Sequence, residues 1–243
     1  MVRGFRLLAI AGLCVVASPP LQADETAPTT SSGFYVLGRL GTALPIEQDT
    51  HTTISGVPGA PSLGGKYDPE SGFGVEAAVG KYLGDGWRAE VSYKWLRGTD
   101  GTLEFDGAPG FAFQLDGNGE SHTVLLNAYK TLCSFDTMFG TISPFVGAGI
   151  GFSVLDITDI SFQIFPGSPF LKPGGDGTDT VFAAAAHAGY DMVLAPGVTL
   201  TSQWSLQYAE EATFRGQFFG FIDTSRDAQV QISTFTGIRI DLN

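Results

Sequence analysis

Three histidines, His51, His122 and His187, are the first residues in this 243-residue sequence that invite a chemical reading. None stands in an H-E-x-x-H or other metal-gathering spacing. His122 follows Ser121, which sets a hydroxyl nucleophile type beside a base type. His187 and Asp191 are four residues apart. On a strand that separation puts them on one face but about 13 Å apart, too far for a base and its orienting acid. "GAGIG" at 147–151 lacks the G-x-G-x-x-G spacing of a dinucleotide loop, and no helix follows it. "GGKY" at 64–67 lacks the first glycine of a phosphate loop and the Ser or Thr after Lys66. Asp100, Glu104, Asp106, Asp116, Glu120, Asp176 and Asp179 lie among glycines without the spacing of a calcium loop. They are read as solvated acids with a capacity to bridge, through divalent cations, to an anionic surface. No catalytic residue, metal ligand or cofactor is expected.

The elements that carry these residues are strands. "WRAEVSYKW" at 87–95 places Trp87, Ala89, Val91, Tyr93 and Trp95 against Arg88, Glu90, Ser92 and Lys94. This alternation of period two defines one apolar and one polar face. Seven further segments share it, beginning near Phe34, Phe73, Val124, Val146, Phe182, Leu200 and Val230, and no stretch carries a helical stripe of useful length. The fold is expected to be all-β. Gly84-Asp85-Gly86 and Ala195-Pro196-Gly197 are tight turns, and 133–140 is an intermediate link. By contrast 45–71, 97–118, 155–178 and 209–225 are long, polar and rich in Gly, Pro, Asp and Ser. Short and long links alternate, so the long ones gather at one end, as in an even-stranded membrane barrel.

Eight strands enclose a lumen that side chains only just fill. Trp87, Tyr93, Trp95, Trp204 and the phenylalanines of the apolar faces overfill such a space, whereas the opposite faces are small or polar, with Gly147, Gly149, Gly151, Ala183, Ala185 and Gly189. The apolar faces therefore turn outward to lipid. Trp87, Tyr93, Trp95, Trp204 and Tyr208 become lipid-interface aromatics, and Arg39, Glu76, Arg88, Glu90, Lys94, Asp191 and Arg239 become lumen charges. Charge in a poorly hydrated lumen must be paired. A hairpin centred on Asp85 sets Glu76 opposite Lys94, and a salt bridge between them is expected.

The ends fit export. Met1 to Arg6 is a short basic region, Leu7 to Ala17 an apolar run, and Leu21-Gln22-Ala23 a cleavage site, so residues 1–23 read as a secretory signal peptide. The run is about half the length that a membrane helix needs. Residues 24–32 form a flexible polar leader and 33–243 the barrel domain. Cleavage removes Arg3 and Arg6 and no acid, moving the formal charge from −12 to −14, a surface that repels nucleic acid. Cys133 then stands without a second cysteine to form a disulfide framework.

The chain resembles the small outer-membrane β-barrels of Gram-negative bacteria, in particular the opacity-like surface antigen and porin-family group. The resemblance rests on "GFYVLGRLGTAL" (33–44), "GFGVEAAVGKYLGDGWRAEVSYKW" (72–95), "HTVLLNAYKTL" (122–132), "ISPFVGAGIGFSV" (142–154), "AAAHAGYDMVLAPGVTLTSQWSLQY" (184–208) and the closing "TGIRIDLN". It implies an eight-stranded antiparallel up-and-down transmembrane barrel in the outer membrane. The role would be structural, adhesive or host-contacting and carried by extracellular loops. Lipid, lipopolysaccharide and a host or surface protein would be the partners. Phe165, Phe170, Phe218, Phe219 and Phe221 fall in those loops and are candidate contact residues. Such barrels usually end on an aromatic residue, and this chain ends on Asn243. The alternatives are a narrow porin-like channel, a soluble lipocalin-like binder, and an outer-membrane lipid hydrolase, of which Ser121-His122 is a faint echo.

Overall fold

The computed structural model describes residues 33–46, 48–54, 63–69, 71–98, 101–105, 112–138, 140–163, 177–216 and 222–242. In chain order the strands are β1 (Phe34–Pro45), β2 (Gln48–Ile54), β3 (Leu63–Pro69), β4 (Gly72–Gly84), β5 (Trp87–Gly98), β6 (Gly101–Phe105) and β7 (Ala112–Thr131). They continue with β8 (Phe135–Thr137), β9 (Gly140–Gln163), β10 (Gly177–Ala195), β11 (Val198–Ala209), β12 (Ala212–Gly216), β13 (Ile222–Arg226) and β14 (Gln229–Leu242). Antiparallel ladders join β1, β4, β5, β7, β9, β10, β11 and β14 in that order, and β14 returns to β1. The wall is a closed eight-stranded barrel.

The tilt of its strands can be read from the register. From Arg39 the pairs run one way through Glu76, Lys94 and Thr123 to Ser153. The other way they run through Gly237, Thr201 and Asp191 to Ser143. The two paths meet β9 ten residues apart, a stagger that tilts the strands steeply to the barrel axis.

Local chemistry sets the tight turns. Between β4 and β5, Asp85 and Gly86 have φ of 50° and 71°, the left-handed pair that a two-residue hairpin prefers. Between β10 and β11, Pro196 precedes Gly197 at φ 74°, as in a type II turn. These turns and the β8 hairpin lie at one end, called here the short-turn end.

The opposite end differs from the sequence expectation. The four long links read as polar loops, yet much of their described length is paired. β2 pairs with β3, β3 with β6, β6 with β7, β13 with β2, and β12 with β13. β2 prolongs β1, β3 leads into β4, β6 prolongs β5, β12 prolongs β11, and β13 leads into β14. At 24 residues, β9 is about 80 Å long at the usual rise, whereas about 10 tilted residues cross a bilayer. The wall thus continues well beyond any membrane. Between β10 and β12 the ladder gives way to a side chain: Asp179 accepts from the backbone N–H of Thr180 and of Thr213, both at 2.7 Å.

Polarity is inverted relative to a soluble protein. Leu40, Phe73, Val91, Leu126, Ile150 and Phe152 are among many large apolar residues exposed on the outer face, while Arg39, Glu90, Lys94, Asp191 and Gln203 are buried inside. A sheet whose outer face is apolar and whose edges are closed suits a hydrocarbon solvent.

Candidate functional site

The lumen is the densest collection of polar chemistry among the described residues. Alternation delivers it: each wall strand sends every second side chain inward, and those side chains meet partners across the bore rather than along a strand. All seven charged residues proposed for the lumen, Arg39, Glu76, Arg88, Glu90, Lys94, Asp191 and Arg239, are buried.

They form two linked groups. In the first, Glu90 accepts from Arg39 Nη2 at 3.1 Å, from the Tyr35 hydroxyl at 3.1 Å and from the Tyr129 hydroxyl at 3.4 Å. The Arg39 Nη1 atom also lies 3.5 Å from Glu76. In the second, Asp191 Oδ2 accepts from Arg88 Nη1 at 2.7 Å and Arg239 Nη1 at 2.8 Å. The Arg88 guanidinium sits 4.6 Å from the Tyr129 ring centre and 4.4 Å from that of Phe145, a cation held between aromatic rings. Tyr82 donates to Asp241 at 2.8 Å nearby, a pair the sequence did not single out.

The expected Glu76–Lys94 salt bridge is corrected. The two residues are opposite one another in the register, as anticipated. Lys94 Nζ nevertheless donates to Gln207 Oε1 across the bore, and Glu76 turns to Arg39. A ladder neighbour fixes where a side chain starts, and the lumen decides where it ends.

Glycine explains how a narrow bore admits such large groups. A Cβ on Gly80 would lie 2.1 Å from Tyr35 Cζ, one on Gly147 2.3 Å from Tyr129 Cδ1, and one on Gly149 1.9 Å from Asn127 Oδ1. "GAGIG" is therefore a surface against which facing side chains pack.

The histidines separate into unlike environments. His122 points outward, and its Nδ1 pairs with the Tyr93 hydroxyl at 2.8 Å. Its Nε2 lies 3.8 Å from both Glu120 and Asp156. Ser121 points inward to Ser153 at 3.0 Å, so Ser121 and His122 occupy opposite faces and form no nucleophile–base pair. His51 belongs to β2, and its side chain lies outside the described residues.

His187 lies at the centre of a constellation that sequence reasoning missed. Its Nδ1 meets Ser205 Oγ at 2.8 Å and Gln203 Nε2 at 3.1 Å, and its Nε2 meets Asn127 Oδ1 at 3.1 Å. The partners fit a neutral ring that donates from Nε2 and accepts at Nδ1. A Ser–His–Asn chain has the connectivity of a nucleophile, base and orienter. Here Ser205 and His187 are buried, and the Ser205 hydroxyl accepts from Gln203 Nε2 at 3.0 Å. Farther toward the long-strand end, a cavity lined by Ser121, Ser153, Gln207 and Gln231 has a volume of about 10 Å³, room for about one water. That volume holds no acyl substrate.

The outer face carries the aromatics. Trp87 starts β5 at the short-turn end, Trp95 and Tyr208 lie toward the long-strand end, and Tyr93 and Trp204 are midway along β5 and β11. Trp95 donates to Glu120 at 3.2 Å and meets Phe73 edge-on at 5.8 Å between ring centres. Phe165, Phe170, Phe218, Phe219 and Phe221 lie outside the described residues, as do Asp100, Asp106 and Asp176. Among the described residues no group of three or more His, Cys, Asp or Glu side chains is arranged to hold a metal.

No family model matches the chain, and no curated protein matches its sequence. Solved structures do match. Over 87% of this chain and 97% of its own, the outer membrane protein OprG from Pseudomonas aeruginosa is similar at 16% identity with a TM-score of 0.52. Neisserial surface protein A is similar over 87% of this chain and 98% of its own, at 16% identity and a TM-score of 0.45. Identity this low speaks for fold alone, and with the closed register and inverted polarity it gives the chain the fold of a small eight-stranded outer-membrane β-barrel.

Proposed function

We propose that the protein is an integral outer-membrane barrel whose lumen is a structural plug and whose activity belongs to the long-strand end. Its role is then in envelope structure, adhesion or host contact, without catalysis. The short turns face the periplasm and the prolonged strands the cell exterior. Outer-membrane lipid and lipopolysaccharide surround the wall, and a host or surface protein is the partner for the exterior end.

One observation carries this reading. Side chains cross the bore at successive heights: Arg88 to Asp191, Glu90 to Tyr35, Asn127 to His187 and Lys94 to Gln207. Each contact joins strands that are not ladder neighbours. Together they support a sealed lumen that a solute cannot cross without breaking buried ion pairs.

The test has two arms. Cell fractionation followed by gel electrophoresis with and without boiling should place the protein in the outer membrane with a heat-dependent mobility shift. Planar bilayer recordings should then show no reproducible conductance step. Steady unitary conductance would replace the plug with the narrow channel, and recovery as a soluble periplasmic protein would end the membrane reading.

A further inference from the structure

The outer wall carries different charges at its two rims. Toward the long-strand end Glu120 and Asp156 face outward around His122, with Arg97 Nε 4.0 Å from Glu120. At the short-turn end the outward-facing strand charges are Lys81, near the end of β4, and Lys130, near the end of β7. Each ammonium is parked over an aromatic ring at the edge of the apolar face: Lys81 Nζ is 5.2 Å from the centre of Phe34, and Lys130 Nζ is 5.4 Å from that of Trp87. Lys130 also donates to the backbone carbonyl of Asp85 in the turn below. Neither lysine has a carboxylate within ion-pair distance among the described residues.

We infer that Lys81 and Lys130, with Phe34 and Trp87, form a binding surface for the head group of an anionic glycerophospholipid in the periplasmic leaflet. The inference rests on the membrane orientation proposed above and names the lipid that this rim selects. The two lysines are carried by strands on either side of β5, so they stand about 10 Å apart across the sheet at the usual strand spacing. Ala89 on β5, level with Lys81, and Ala128 on β7, the next outward residue from Lys130 toward the middle of the wall, are small and keep the outer surface low beside the two ammonium groups. An acyl chain can lie against it while the phosphate stays level with the ammonium groups. Long aliphatic stems let lysine reach such a head group from within the apolar belt, and a ring beneath the ammonium holds it at the boundary. The carboxylates of the opposite rim give no such welcome to an anion.

Quenching of Trp87 tests this surface, because the chain has 3 tryptophans and W95F with W204F leaves Trp87 as the sole reporter. The full barrel is refolded into vesicles that mix brominated phosphatidylglycerol with unbrominated phosphatidylcholine, and into vesicles that mix brominated phosphatidylcholine with unbrominated phosphatidylglycerol. At low salt a preference for phosphatidylglycerol of several-fold is expected, bounded by about fivefold for each lysine. K81Q with K130Q should bring it to unity, R97Q should leave it unchanged, and raised salt should weaken it. Equal quenching by the two lipids in the parent, or a preference that survives K81Q/K130Q, overturns the proposal while leaving the barrel in its membrane. Quenching by neither lipid would instead overturn the membrane reading on which the proposal rests.

Discussion

Asp191 offers the sharpest perturbation of the lumen. Both Arg88 Nη1 and Arg239 Nη1 contact the same oxygen, Oδ2, at 2.7 and 2.8 Å. The two cationic atoms are therefore at most about 5.5 Å apart. At an effective dielectric near 20, two unit charges at that distance repel by about 3 kcal/mol. Asp191→Asn keeps the shape and removes the charge that offsets this repulsion. Adding one lost charge-assisted hydrogen bond and allowing for relaxation, the barrel should lose about 3–5 kcal/mol, the usual cost of breaking a buried pair. Urea titration of the barrel refolded in detergent micelles, followed by the gel mobility of unheated samples, measures that loss. Arg239→Met in the Asp191→Asn background should recover part of it, because one of the two stranded cations is then gone. A loss below about 1 kcal/mol for Asp191→Asn, or no coupling between the two positions, would refute the paired-charge account of the lumen.

Gly149→Ala should destabilise the barrel by about 1–3 kcal/mol in the same titration, since its Cβ would fall 1.9 Å from Asn127 Oδ1 and disturb His187. Asp179→Ala removes a side-chain clasp between β10 and β12; protease should then cut near Ala212–Gly216 while the stability of the belt in the urea titration stays within about 0.5 kcal/mol. Ser205 should resist a fluorophosphonate serine-hydrolase probe in the folded protein, and labelling of Ser205 would show that its chain through His187 and Asn127 has access to substrate.

The parts of this molecule that touch lipid were the legible ones. A strand with one face in hydrocarbon must alternate, and the run from Trp87 to Trp95 does so without interruption. The prolonged strands escaped notice for the converse reason. "QDTHTTI" in β2 and "IDTSR" in β13 lie beyond the apolar belt, where neither face must be greasy and no period of two is imposed. The side of each lumen charge followed from parity alone. Its partner did not: Arg88 and Asp191 are 103 residues apart, and only the stagger of the closed wall brings them together. The Ser205–His187–Asn127 chain was hidden in the same way, its members spread over β11, β10 and β7.

The origin of the lumen charges bears on how the barrel is made. Glu76 comes from β4, Arg88, Glu90 and Lys94 from β5, Asp191 from β10, Arg39 from β1 and Arg239 from β14. The hairpin of β4 with β5 carries two cations and two acids: Arg88 and Lys94 find Asp191 and Gln207 on distant strands, and Glu76 and Glu90 find Arg39 on β1. A partial sheet would bring those groups into lipid unmatched, at several kcal/mol each. Arg88 on β5 reaches Asp191 on β10 only across the closed bore, so the interior acts as a lock that couples membrane entry to closure.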